Sequence, residues 1–322
     1  MPAIKKRQSA TMGLISALGP FQFDMYLPAL PALILYFSTT ETLVQLTITA
    51  SLLGMAMGQV FVGPITDALG RRRPLMIALS VFIVASIACL AAPDVTWMII
   101  ARFILGFSAA AGFVIVNAFI RDMATGDNAA KLYSTQAAIS SLAPVLAPLV
   151  GGQLLLLGDW HIVFIFLAFM GAAVMGFVAA YLPESLPQSA RSELSFGATF
   201  SAWAHVLRDS RFVVLIVLGG VLFGSVASFI AGAPFALQQG FGLTPTEYTY
   251  AFAAVTVVMF GANSLNRYLL KHVSSISLMR YGLSQGLLAA AVMVTINVFE
   301  IHDLLLTIVG YALAVSVMGF TM

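Results

Sequence analysis

Charged residues are scarce in this chain of 322 residues: 15 Lys and Arg and 13 Asp and Glu make up 9% of it. Soluble domains carry about 25%. Apolar side chains reach 60%, more than one water-exposed globule can bury. That excludes a soluble enzyme, a nucleic-acid binder and a secreted disulfide scaffold. Cysteine is nearly absent too. Cys89 stands alone inside an apolar run, which leaves neither a disulfide framework nor a cysteine metal site. The four histidines (His161, His205, His272 and His302) show no metal-ligand spacing. No clustered His and Asp set lies at membrane depth, so no enzyme activity and no cofactor are expected. Alternation over ten-residue stretches, the mark of a membrane β-barrel, is also missing.

Long apolar runs are what the chain does have. A bilayer core about 30 Å thick needs about 20 apolar residues per helix. Ten segments fit: 10–30, 43–64, 74–92, 96–119, 134–157, 161–182, 212–237, 248–266, 278–298 and 303–322. Most connections are short, so neighbours are antiparallel. The sequence therefore predicts an all-α polytopic membrane protein. The longest polar stretch, Pro183 to Arg211, follows the sixth segment and holds Glu184, Arg191, Glu193, Arg208 and Asp209. It reads as a cytoplasmic linker (183–211). The linker would join an N-terminal six-helix bundle (1–182) to a partial C-terminal bundle of four helices (212–322).

The basic residues predict the orientation. Lys5, Lys6 and Arg7 precede segment one, and Arg71, Arg72 and Arg73 lie between two and three. Arg121 and Lys131 follow segment four; Arg191, Arg208 and Arg211 follow six; Arg267, Lys271 and Arg280 flank the turn after eight. Fourteen of the 15 Lys and Arg thus fall on one side. The other connections carry Glu41, Asp94, Asp159, Glu247, Glu300 and Asp303 and no basic residue. Lys and Arg are retained in the cytoplasm, so the N-terminus is expected there. A basic start before an apolar run can be a cleaved signal, but Asp24 and Tyr26-Pro28-Pro31 follow without an A-x-A site. An uncleaved first helix is expected.

Several short motifs punctuate these segments. After segment two comes Gly63-Pro64-Ile65-Thr66-Asp67-Ala68-Leu69-Gly70-Arg71-Arg72-Arg73, which follows G-x-x-x-D-x-x-G-R-[KR]-x. Asp67 at a helix end suits a neighbouring helix N-terminus. Gly70 permits a tight turn. Arg71 and Arg72 suit lipid phosphate or carboxylates from another helix end. Segment one has Asp24-Met25-Tyr26-Leu27-Pro28-Ala29-Leu30-Pro31, and segment four has Arg102-Phe103-Ile104-Leu105-Gly106 and then Arg121-Asp122. Segment five has Ala147-Pro148-Leu149-Val150-Gly151-Gly152. Ala233-Pro234-Phe235 with Gly242-Leu243-Thr244 and Asn266-Arg267 complete the set.

Together these residues resemble the major facilitator superfamily. Within it they are similar to drug–proton antiporters of the bicyclomycin/chloramphenicol-resistance (Bcr/CflA-type) branch. Leu105 stands where that pattern has Gln, and Ala147 where it has Gly. The resemblance implies two helical bundles around a midplane cavity that opens alternately to each side. Ten transmembrane helices are present of an expected twelve, so the last two are expected to be missing. The implied activity is proton-coupled export of small drug-like compounds from a bacterial cytoplasmic (inner) membrane. A proton gradient would supply the energy, without a cofactor. The implied partners are a small-molecule substrate, protons and membrane lipids; no nucleic acid is expected, and the protein would be a monomer. Two alternatives stay open at this stage: a transporter of an amino acid, sugar or nucleobase on the same fold, or a non-transporting truncated remnant.

Two charges stand inside the first bundle. With a rise of about 1.5 Å per residue, Asp24 lies about 20 Å beyond Thr11, and Arg102 about 9 Å beyond Thr96. Both then sit about 10 Å below the outer surface of a core about 30 Å thick. Desolvation favours the protonated carboxyl and approach of Arg102 favours the carboxylate, so Asp24 and Arg102 are the proton-coupling candidates. Gly63, Asp67, Gly70, Arg71 and Arg72 are the gating motif. Pro148, Gly151 and Gly152 are the antiporter-type motif, expected to bring another backbone close. Gly54 and Gly58 are expected to pack helices within the bundle. Tyr26, Phe113 and Phe235 are cavity-lining candidates by their place in the matched motifs alone.

Overall fold

The computed structural model describes residues 6–194 and 196–321. Lys5 and the last position of segment 303–322 lie outside the described residues. All regular structure among the described residues is helical. In chain order the helices are α1 (Lys6–Asp24), α2 (Leu30–Tyr36), α3 (Glu41–Leu69), α4 (Arg72–Leu90), α5 (Val95–Met123) and α6 (Gly126–Leu154). They continue as α7 (His161–Tyr181), α8 (Phe196–Val206), α9 (Ser210–Phe235), α10 (Pro245–Leu269), α11 (Ser275–Val298) and α12 (Leu304–Thr321). Nine helices among the described residues are long and apolar enough to cross a membrane: α3 to α7 and α9 to α12, with α9 counted through Gly240.

Two expectations need correcting. The first segment is not one helix over 10–30. α1 stops at Asp24, a short 3-10 turn spans Leu27–Ala29, and α2 follows. Pro28 and Pro31 bring no N–H to the ladder and sit at the starts of those two pieces. The gating motif is not wholly a turn. α3 runs through Pro64 and Asp67 to Leu69, and only Gly70, at φ +90°, and Arg71, the N-cap of α4, stand between the two helices. The stretch 183–211 contains α8.

Side-chain caps set several helix starts. Thr40 accepts from Leu43 N–H, Asp94 from Trp97 N–H and Ser274 from Ser277 N–H. Thr244 and Glu247 form a reciprocal capping box on α10. Each cap satisfies an N–H group that the helix itself leaves open.

The chain divides into two compact units, Met1–Ala202 and Trp203–Met322. In the first, α3 lies against α5, and glycine permits it. A Cβ at Gly54 would strike the Phe103 carbonyl, one at Gly58 the Phe107 carbonyl, and one at Gly106 the Ser51 carbonyl. Such close backbone approach maximises dispersion where no hydrophobic force drives helices together. α1 packs on α5, α6 and α7, and α4 packs on α5 and α7. Gly151 of α6 faces the Met25 carbonyl, at the break after α1, without room for a Cβ.

In the second unit α12 packs on α10, α11 and α9. Gly319 meets the backbone of Ala262 and Asn263. Just past Pro234, α9 widens into a π turn over Ala236–Gly240, and Gly242 turns the chain at φ +72°. An apolar cleft of about 620 Å³ lies between α9, α11 and α12, bordered by Phe229, Met293 and Tyr311 with Ser225 and Ser228.

Candidate functional site

The break after α1 creates the first site. The last four carbonyls of a helix lack an intrahelical donor, and Gln22 is among the last four residues of α1. Arg102, on α5 and 0% exposed, donates from Nη1 to the Gln22 carbonyl at 2.6 Å and to Gln22 Oε1 at 3.2 Å. A cation at a helix C-terminus is also favoured by the peptide dipoles. The guanidinium carbon lies 4.5 Å from the Tyr26 ring centroid, a cation–π contact in a desolvated place.

The surrounding hydroxyls fix these partners. Ser51 donates to Gln22 Oε1 at 3.0 Å. Thr47 donates to the Val44 carbonyl at 2.6 Å, so its oxygen is left to accept from Tyr26 Oη at 3.2 Å. Tyr26 is itself fully buried and tilts against Phe164 at 5.4 Å between centroids. Asp24 is buried beside them, yet no ion pair within 4 Å joins it to Arg102 among the described residues. Arg102 Nε and Nη2 and Gln22 Nε2 are buried without a hydrogen-bond partner. The site holds its cation through one carbonyl, one amide and one ring, with donors to spare.

The second site lies at the α3–α4 corner. Arg71, 3% exposed, donates from Nη1 to Thr66 Oγ1 at 3.1 Å and to Asp67 Oδ1 at 2.5 Å, and from Nε to Asp122 Oδ2 at 3.0 Å. Asp122 is the weightier partner: its side chain is 13% exposed against 46% for Asp67, and water screens it less. Burial works against the Arg71 charge. The hydrogen bonds that Arg71 donates to Asp122 and Asp67 outweigh it and hold the guanidinium pKa above its usual value. Ser185 also donates to Asp122 Oδ2, at 3.0 Å. Glu184 supplies the missing cap of α4: Oε1 accepts from Arg71 N–H at 2.7 Å and Oε2 from Arg72 N–H at 3.2 Å. Arg72 reaches the Ala179 carbonyl near the end of α7 at 2.7 Å.

The sequence model of the Major Facilitator Superfamily matches residues 12–322. The chain belongs to that superfamily. An MFS-type transporter of Bacillus subtilis, YdgK, is 34% identical over 92% of this chain and 74% of its own length. A bicyclomycin resistance protein homolog of Haemophilus influenzae is 26% identical over 85% and 69%. The multidrug resistance protein MdtL of Citrobacter koseri is 27% identical over 84% and 68%. Among solved structures, the partially occluded xylose transporter XylE from E. coli superposes with a TM-score of 0.73 at 16% identity, covering 97% of this chain and 84% of that one. An inward-facing bacterial homolog of the lysosomal transporter Spinster gives 0.76 at 15% identity, covering 97% and 72%. At such identities the likeness concerns the fold. The protein is a membrane-embedded facilitator-superfamily transporter of small molecules, not an enzyme.

On this facilitator fold the residues expected from sequence sort as follows. Asp24, Tyr26 and Arg102 come together around Gln22. Asp67, Gly70, Arg71 and Arg72 come together with Asp122 and Glu184. Gly63 has nothing within 4 Å of a Cβ position, so no steric need explains it. Pro148 lies within α6 and Gly151 at the Met25 contact, with Gly152 buried beside it. The three cavity-lining candidates share no single environment: Phe113 is exposed on the first unit, Tyr26 is sealed inside it, and Phe235 is buried in the second. In the second unit, Asn266 and Arg267 lie within α10 rather than at a glycine turn. Sequence reasoning missed Gln22 and the capping role of Glu184. Gln22 could have been found as an intramembrane amide beside Asp24.

Proposed function

We propose that this transporter is a proton-coupled exporter of small, fairly apolar or zwitterionic drug-like compounds. It works as a monomer by alternating access in a bacterial cytoplasmic membrane, with its N-terminus in the cytoplasm. One observation carries the reading: a fully buried arginine, Arg102, rests on the Gln22 carbonyl at a broken helix end, while a buried carboxylic acid two residues beyond Gln22, Asp24, forms no ion pair with it among the described residues. The names of the bicyclomycin-resistance and multidrug-resistance relatives support the choice of cargo.

The chemistry follows from that arrangement. A carboxylate stripped of water takes up a proton, and a guanidinium brought close expels it. Arg102 keeps its charge throughout, so Asp24 is the carrier. While Arg102 rests on the Gln22 carbonyl and Tyr26, Asp24 is free to hold a proton. A shift of α5 against α1 that frees Arg102 from Gln22 would let it approach Asp24 and release the proton. The Asp67–Arg71–Asp122 contacts stand where a latch between transport states would act. Protonation thus has a mechanical reporter, the position of Arg102.

The test is drug accumulation in inverted membrane vesicles under an imposed proton gradient, with chloramphenicol and bicyclomycin in the panel. Wild-type protein is expected to move at least one drug uphill. Asp24→Asn is expected to abolish uphill movement while keeping drug binding. Arg102→Ala should also uncouple, and Arg102→Lys should restore coupling only in part. Uphill movement by Asp24→Asn would place the carrier elsewhere. Uphill movement of metabolites alone, with no drug moved, would overturn the cargo assignment.

A further inference from the structure

Beside the α3–α4 corner the first unit holds a cleft of about 400 Å³ that the transport chemistry does not use. Every residue that lines it carries a polar or charged group: Arg72, Arg73, Glu184, Gln188 and Arg191. Three guanidinium groups against one carboxylate leave a formal charge of +2. The carboxylate is already committed. Glu184 Oε1 accepts from the N–H groups of Arg71 and Leu186 at 2.7 and 3.1 Å, and Oε2 accepts from that of Arg72 at 3.2 Å. The N-terminus of α4, pointing into the same region, adds further positive potential.

The guanidinium groups are not committed to the same degree. Arg72 uses Nη2 on the Ala179 carbonyl. Arg191 makes no ion pair within 4 Å among the described residues, and its Nε is buried without a hydrogen-bond partner. A buried donor left open on a charged group is costly. Arg73 is exposed at the mouth. The cleft is thus short of one anion with several acceptor oxygens.

Its position narrows the source of that anion. The cleft opens at the ends of α4 and α7. Those two helices pack on each other and expose Ile77, Val84, Ile165 and Phe169 at 61, 66, 53 and 71%. Side chains of that kind face lipid tails, so the cleft lies where headgroups begin. Arginine forks match phosphate oxygens with paired, charge-assisted hydrogen bonds. We propose that this cleft binds the phosphate of an anionic phospholipid headgroup, held by Arg73 and Arg191 with Arg72 at its back. The bound headgroup ties the segment after α7 to the start of α4, next to the Arg71 contacts.

Native mass spectrometry of the full chain in detergent tests this. The protein is titrated separately with phosphatidylglycerol, phosphatidylcholine and inorganic phosphate. One phosphatidylglycerol should survive activation that strips phosphatidylcholine. Arg73→Gln combined with Arg191→Gln should weaken its binding about tenfold, through loss of charge-assisted bonds, and the double Lys variant should keep part of it. Arg208→Gln with Arg211→Gln removes the same charge outside the cleft and should leave binding unchanged. Equal retention by wild type and the Arg73/Arg191 Gln variant would overturn the site. So would equal losses in the two Gln pairs. Tight binding of inorganic phosphate without retention of phosphatidylglycerol would overturn the lipid as its source.

Discussion

At the scale of single residues, the first unit depends on what is missing as much as on what is there. Gly54, Gly58 and Gly106 place two helix backbones where any Cβ would collide. Gly106→Leu must push α5 off the Ser51 carbonyl. Overpacking of that kind costs about 1–3 kcal/mol, read as a lower melting temperature of the purified protein in detergent. Gly63→Ala, with open space around it, should melt at or slightly above the wild-type temperature. Equal losses in both would mean that glycine acts through chain flexibility rather than contact. The spacing of Gly54 and Gly58 was legible in the sequence because four residues bring a helix back to the same face. The partner of Gly106 was not, since the register between two helices is set by their whole surfaces. The same limit applies to Arg102. Its depth could be counted along the chain, and it matches that of Asp24. Its acceptor is a backbone carbonyl, which no residue type announces.

At the scale of elements, α4 is a helix whose N-terminus is capped from far along the chain. Gly70 and the three arginines after it announced a tight turn before a helix, and the turn is there. The anion that completes it is Glu184, 113 residues beyond Arg71. Nothing local to the turn could have pointed to it. Replacing the carboxylate by an amide, Glu184→Gln, keeps the shape and removes the charge. The expected cost is about 0.5–2 kcal/mol, as for other lost caps. Hydrogen exchange followed by mass spectrometry should show faster exchange over the first turn of α4, with α5 unchanged. Unaltered exchange at Arg71 and Arg72 would mean that water caps the helix equally well. The break between α1 and α2 was half legible. The prolines were visible, but an apolar run of adequate length reads as one span until the ladder is seen to stop at Asp24.

At the scale of the whole molecule, composition alone settled the class and the repeated apolar runs settled most of the helices. The nine apolar helices among the described residues leave α1 outside their number, and that has a consequence for how the protein is made. The chain is synthesised from the N-terminus, so the ribosome delivers α1 to the insertion machinery first. Its helix carries Lys6, Arg7, Gln8, Gln22 and Asp24, and each polar side chain raises the cost of leaving the channel for lipid. The side chain that satisfies its open end, Arg102, emerges 80 residues after Gln22. Until then α1 is a tenant without a lease, lodged at the channel mouth or on the bilayer surface. In a Cys89→Ser background, a cysteine placed by Leu18→Cys should react with a water-soluble maleimide in nascent chains arrested before Arg102 and be protected in chains arrested beyond α7. Equal protection at both lengths would show that α1 enters unaided. If the difference is found, the residues that serve transport in the finished protein first serve as a delayed anchor for its own beginning.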